Sequence, residues 1–407
     1  MGHDAGRHPG DPQGSTPRGH PMTPPNSVAT FEFRAATRLV VGAGTLGRLG
    51  TLARELGATR ALVTSDPGIV RCGHAAAGIA VLEAEGIATA LFDAFCENPS
   101  TTAVEAGAEL ARQFRPDLIV GLGGGSSMDC AKGINFLVSC GGRMQDYRGR
   151  GTATGPMLPS IAVPTTAGTG SETQSFALIT DADTGMKLAC GDPRAAFRVA
   201  VLDVELTLTQ PRTVAALTGV DAIAHAVESH VSRAATPASR AFSREAWRLL
   251  AHHLPRVFAD GHDLEARAAV QLGAAWAGLA IENAMLGAAH ALANPLTAAH
   301  DVVHGQAVGL MLPHVVRYNE PACGSDYAAL LGAVGIEAPP GGAGGRLAAW
   351  LDGLLVEAGL HRSLESLGIP SPATDALAEA AAAQWTAAFN PRQVGQADLA
   401  SLYEAAR

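Results

Sequence analysis

The sequence predicts an α/β domain built on a parallel sheet, followed by an all-α domain. Three observations carry this expectation. The chain has 407 residues, more than one hydrophobic core ordinarily serves, so two packed domains are expected. Between about residue 31 and residue 210, short β-branched or apolar runs alternate with helical stretches, the pattern of βαβ units. After about Arg212 the alternation stops, and apolar residues recur at spacings of three and four with almost no strand character.

The segments follow in order. Residues 1–28 are rich in Pro, Gly and polar types and cannot bury enough apolar surface to offset the entropy of ordering, so a disordered tail is expected there. Its histidines, His3, His8 and His20, lack the fixed spacing of a metal site. Residues 29–212 form the first domain. RALVTS reads as a strand, HAAAGIAVLEAEG as a helix, ATALFDAF as a strand, TTAVEAGAELARQF as a helix, and DLIVGLGGGS as a buried strand that runs into glycines. Residues 213–407 form the second domain, opening with the helix TVAALTGVDAIAHAVESHV. Its alanine-rich TDALAEAAAAQWTAAF suits a packed helix better than a low-complexity run.

Composition excludes several classes of function. A formal charge of −9 with no local basic stripe argues against a nucleic-acid partner. The six cysteines, Cys72, Cys96, Cys130, Cys140, Cys190 and Cys323, are scattered without a CxxC pair, which fits reduced thiols rather than a disulfide framework. No run approaches the roughly 20 apolar residues of a membrane span, and the N-terminus has no apolar signal-peptide core. No membrane partner and a cytoplasmic location are expected.

Two glycine-rich loops compete as anion cradles. GAGTLG, with Gly42, Gly44 and Gly47, fits GxGxxG, but no clear strand–turn–helix context surrounds it and chance matches are common in a chain with 47 glycines. DLIVGLGGGSSMDCAKG has the right context: a strand ends, glycines follow, and a helix opens. Glycine admits a pyrophosphate close to the backbone, and the free N–H groups at a helix start favour an anion. Gly123, Gly124, Gly125 and Ser126 are the expected cradle of a dinucleotide-binding domain. VPTTAGTGSE is a second loop whose hydroxyls suit a phosphate or ribose, with helix capping by Ser171 or Thr169 as the plainer use. Asp66, at the end of ALVTSD, suits the two hydroxyls of an adenosine ribose and repels a 2′-phosphate, which favours NAD over NADP; a surface turn is its plainer use.

In TGVDAIAHAVESHV, Asp221 and His225 stand four apart on an otherwise apolar helix and share one face. An isolated pair of this kind is most often a polar contact. His290 and His304, on later helical segments separated by the break at Ala293–Pro295, complete a set of one carboxylate and three imidazoles that suits Fe²⁺ or Zn²⁺.

Together, GGGSSMDCAKG, PTTAGTGSE, DAIAHAVES and HALANPLTAAHDVVHGQAVGLMLPHVVRYN, in this order, resemble the iron-containing (group III) alcohol dehydrogenase family, over roughly residues 30–407 and including LTLTQP and FNPR. The resemblance implies a divalent metal in the cleft between the two domains, held by Asp221, His225, His290 and His304. It implies cofactor contacts at Asp66, the Gly123–Ser126 loop, Thr165, Thr166, Thr169 and Lys187, and it makes GAGTLG a structural turn. It implies oxidation of a small alcohol by NAD, or reduction of the aldehyde, in a homo-oligomer expected to be a dimer. The chain departs from the family where many members carry a further histidine one turn after the third ligand: that position is Asn294, which can hydrogen-bond but cannot accept a proton near neutral pH. His300 is the candidate substitute for this relay. Rival readings are an NAD- and metal-using lyase of the dehydroquinate synthase kind, a metal-free maleylacetate-type reductase, and a non-catalytic binding protein.

Overall fold

The apolar runs of the first half become parallel strands, and the central ones are buried on both faces. In the computed structural model, which describes residues 30–407, these are β1 (Arg38–Val41), β2 (Arg60–Thr64), β3 (Ala88–Phe92), β4 (Leu118–Gly123), β6 (Ser160–Pro164) and β9 (Val199–Leu202). They form one parallel sheet in the order β1-β9-β6-β4-β2-β3. A small second sheet joins β5 (Gly149–Arg150), β7 (Phe176–Thr180) and β8 (Lys187–Gly191) in the order β5-β8-β7. The tail expected over residues 1–28, with its three histidines, lies outside the described residues.

Helices cover both faces of the large sheet: α1 (Leu49–Glu55) and α3 (His74–Ala84) on one, α4 (Thr101–Phe114) and α5 (Gly125–Cys140) on the other, with short α2 (Pro67–Arg71) at the strand ends. Strand periodicity feeds both layers: Leu118, Val120 and Leu122 of β4 pack with Leu49, Leu52 and Leu82, whereas Ile119 packs with Val104, Met128 and Ile134. β4 is central, so the loop at its carboxyl end opens into the crevice where α/β sheets bind ligands.

From Arg212 onward the described residues are helical: α6 (Arg212–Val231), α7 (Pro237–Ala259), α8 (Leu264–Glu282), α9 (Ala288–His300), α10 (His304–Ala333), α11 (Ala343–Ala358), α12 (Thr374–Ala382) and α13 (Gln396–Ala405). Of the alanine-rich stretch expected to be one helix, α12 forms the first part and a 3₁₀ turn, Trp385–Phe389, the last. The expected break at Ala293–Pro295 does not occur. Pro295 lies inside α9, where its missing N–H forfeits one helical bond while packing against α10 and α12 keeps the helix intact. The chain turns instead at Asp301, in the left-handed region with φ 54°.

Residues 34–407 form one unit, and its two layers meet at small residues. Gly170, in the loop after β6, lies against Gly278 of α8; a Cβ on Gly278 would stand 2.6 Å from Gly170 O, and one on Gly170 2.7 Å from Gly278 Cα. Backbone therefore touches backbone where the α/β part meets the helices.

Candidate metal and nucleotide site

Three helices converge on one oxygen. Asp221 and His225 come from the middle of α6, His290 from the first turn of α9, and His304 opens α10. The three Nε2 atoms lie 3.4 Å (His225), 3.4 Å (His290) and 3.8 Å (His304) from Asp221 Oδ1. The ligand atoms of Asp221, His290 and His304 all lie within 4.8 Å of one another. His290 stacks on His225, with ring centroids 5.0 Å apart. Asp221, His225 and His290 are buried and His304 half-buried.

This arrangement does not satisfy itself. Asp221 Oδ1 and His290 Nε2 are buried and make no hydrogen bond, a costly state for polar atoms unless something else binds them. Burial alone would raise the Asp221 carboxyl, yet the facing histidines, His225 first, hold it well below the usual carboxylate range. Burial lowers His225, and it lowers His304 to about 4. His290 is pulled down by burial but is pushed up to about 9 by Glu228 and Asp221. Two of the three rings thus resist protonation, while a carboxylate faces all of them. A single cation on nitrogen and oxygen donors fits this set better than protons do.

The glycine loop lies at the carboxyl end of β4. Gly124 is the N-cap of α5 and supplies no side-chain cap, which leaves the N–H groups of Gly125 and Ser126 open to an anion. The walls are threonines: a Cβ on Gly124 would stand 3.4 Å from Thr166 Cγ2, and one on Gly125 2.9 Å from Thr169 Cγ2. Thr165 and Thr166 keep buried hydroxyls without partners, whereas Thr169 Oγ1 accepts from Ser171 N at 3.3 Å within its own turn. Asp66 caps α2, accepting from Gly68 N at 2.9 Å, and also accepts from Ser127 Oγ at 3.2 Å; it sits beside Gly123, whose Cβ would approach its Oδ2 to 3.3 Å. Ser126 Oγ accepts from Asn98 N at 3.2 Å, and Asn98 Oδ1 accepts from Lys187 Nζ. Burial lowers the Lys187 ammonium, against the pull of Asp129, Glu97 and Asp221, so Lys187 feels both the loop and the metal cluster.

GAGTLG does have strand–turn–helix context, between β1 and α1, contrary to the reading of the sequence. Its anion site is nevertheless filled from within: Gly44 N and Leu46 N donate to Asp203 at 3.1 and 2.8 Å. Asn294, one turn beyond His290, donates from Nδ2 to Gln384 Oε1 at 3.0 Å, a pairing of neutral amides. His300 is the last residue of α9, with the turn at Asp301 between it and α10. It therefore does not share a helix with His304, and it is not among the residues whose ligand atoms cluster.

Sequence reasoning missed Glu228, whose Oε2 accepts from His290 Nδ1 at 2.5 Å. Asp221, His225 and Glu228 recur at i, i+4 and i+7, a polar stripe that was there to find. It also missed the buried charges beside the loop. Lys132 is 1% exposed and donates to Ser171 O and Phe176 O, each at 2.7 Å. Burial pushes the nearby Glu172 up to about 7, its own amide and Lys132 pulling the other way. A carboxyl raised in the folded state from its ordinary 4.5 gives stability that is complete below that value and is lost as pH rises through about 7. Wild type is expected to lose stability relative to Glu172→Gln between about pH 5 and 8; melting temperatures of both across that window are the check, and parallel curves would contradict it.

Comparison with known proteins agrees with this geometry. The family described as iron-containing alcohol dehydrogenase matches residues 36–204, and its C-terminal family matches residues 215–407. The chain is 32% identical over 385 residues to 1,3-propanediol dehydrogenase of Klebsiella pneumoniae, covering 93% of this chain and 100% of the relative. It is 35% identical over 280 residues to NAD-dependent methanol dehydrogenase of Bacillus methanolicus, covering 69% and 74%. A crystal structure of 1,3-propanediol oxidoreductase superposes with a TM-score of 0.90 at 32% identity, covering 93% of this chain and 100% of that one.

Proposed function

Because the chain belongs to the iron-containing alcohol dehydrogenase family, we propose that it is an NAD-dependent, divalent-metal-dependent dehydrogenase that interconverts a small alcohol and its aldehyde. The observation that carries this is the convergence of three Nε2 atoms on an unpaired, buried Asp221 Oδ1. Asp221, His225, His290 and His304 hold Fe²⁺ or Zn²⁺. Gly123, Gly124, Gly125 and Ser126 receive the pyrophosphate of NAD, with Thr165, Thr166 and Thr169 beside it, and Asp66 and Lys187 position the rest of the nucleotide. A metal bound there would supply Lewis acidity toward the alcohol oxygen, and a bound nicotinamide would supply the hydride chemistry.

The protein's part is placement. The buried cluster fixes where the oxygen is held, and the loop at the end of β4 fixes the cofactor next to it. Asn294, one turn beyond His290 and paired with Gln384, cannot take a proton near neutral pH, so its part would be to orient the substrate through a hydrogen bond. His300, at the outer end of the same helix, is the titratable candidate to pass that proton to solvent. The intact cluster counts against a metal-free reductase. A homo-oligomeric, cytoplasmic enzyme belongs to the same reading; among the described residues no helix is long and apolar enough to cross a membrane.

The test is elemental analysis of the purified protein alongside NADH oxidation with a panel of short aldehydes. About one Fe or Zn per chain with aldehyde-dependent loss of NADH supports the reading. Turnover with no net change in NADH points to lyase chemistry and overturns it.

A further inference from the structure

The side of His290 turned away from Asp221 is held by a carboxylate to which the reading above gives no role. Glu228 is 4% exposed. It lies three residues after His225 and seven after Asp221, so α6 turns all three to one face. Its Oε2 accepts from His290 Nδ1 at 2.5 Å, and its Oε1 accepts from the backbone N–H of Ala289 at 2.7 Å. One carboxylate thus grips the ring of one residue and the backbone of the residue before it.

That grip is built into the start of α9. The helix has Gly287 as N-cap, with no side chain to offer, and the missing cap comes from elsewhere: Glu228 takes the Ala289 N–H, and Asn390 Oδ1 takes the Ala288 N–H at 3.3 Å. Glycine fits closely at 287: a Cβ there would stand 3.0 Å from Glu228 Oε1 and 3.1 Å from Asn390 Oδ1, and both oxygens would have to give way. Asn390 is itself fixed by reciprocal bonds with Asn319, of 2.7 and 2.9 Å. FNPR and the RYN of α10 therefore close the wall behind Glu228.

An ionised carboxylate has only acceptors, so His290 Nδ1 must be the donor. The lone pair of the neutral ring is then at Nε2, the atom that faces Asp221 Oδ1 at 3.4 Å. We propose that Glu228 is a positioning residue that fixes His290 as the Nδ1–H tautomer with Nε2 turned to the metal, and so sets how tightly and in what ligand geometry the ion is held. The inference rests on the metal reading above.

The test is titration of chelator-stripped protein with Co²⁺, following both affinity and the visible absorption of the bound ion. Glu228→Gln keeps the shape but presents an amide N–H to Nδ1, which favours the opposite tautomer. Its Co²⁺ affinity is expected to fall about 10- to 100-fold, with a changed Co²⁺ spectrum. Asn390→Ala loosens the same helix turn without touching His290, and is expected to lower the melting temperature of the stripped protein while keeping wild-type affinity and spectrum. Wild-type affinity and spectrum in Glu228→Gln overturn the proposal, as does an equal fall in both variants, which assigns Glu228 a structural role alone. A wild-type protein that takes up no Co²⁺ overturns the metal reading itself, and this proposal with it.

Discussion

A His290→Ala protein is expected to retain no metal and to lose at least about 10³-fold in aldehyde-dependent NADH oxidation, the loss of several kcal/mol of Lewis-acid stabilisation. The site leaves little room for a milder outcome. His290 is buried, its Nε2 faces Asp221, and its Nδ1 is bound to Glu228. Truncation takes a ligand from the cluster and strands two carboxylates together. NADH binding, by contrast, should survive, since the loop at Gly123–Ser126 belongs to β4 and α5 rather than to α9. Metal content by elemental analysis and NADH affinity by fluorescence separate the two effects. Full turnover by a metal-free His290→Ala protein would refute the mechanism.

The second large effect falls on stability. Lys132 Nζ donates to Ser171 O, Ser171 Oγ and Phe176 O at 2.7, 2.9 and 2.7 Å. Ser171 Oγ in turn donates to Asp129 Oδ1 at 2.7 Å. Lys132→Met fills the same space but leaves those acceptors unpaired, and of the two cations that act on the half-buried Asp129 it leaves only Lys187. Leaving buried acceptors without their donor costs about 1–3 kcal/mol each. Denaturant unfolding of the metal-free proteins measures the difference, and a loss under about 1 kcal/mol would put Lys132 among ordinary surface-like substitutions. Lys132 lies in the glycine-loop helix and Ser171 in the threonine loop, so the variant should also weaken NADH binding.

Much of this was legible before the fold was seen, and the reasons are local. β4 and α5 announce themselves because a strand buried on both faces reads as a continuous apolar run, and glycine at a helix start lets a pyrophosphate approach the backbone closely. Asp221 and His225 stand out because a polar pair on an apolar helix has to be explained. What stayed hidden was set by tertiary packing. Pro295 looked like a helix end, yet α9 runs through it because its neighbours hold it. GAGTLG looked like a second cradle, and only the approach of Asp203 from the end of β9, more than 150 residues away in sequence, shows its N–H groups already taken. Glu228 was passed over because its partners, Ala289 and His290, lie about sixty residues downstream. Asn294 was read as a gap in a relay, and its partner Gln384 could not be inferred from any spacing.

The glycine contact between Gly170 and Gly278 bears on how such a protein can be recombined. Where two layers touch backbone to backbone, neither surface can vary alone, because the first Cβ added to either meets main-chain atoms of the other within 2.7 Å. A chimera that grafts the helices of one relative onto the sheet of another will keep its cleft only if both parents bring glycine to these two points. The halves of this chain are thus inherited as a matched pair, however readily their outer surfaces diverge.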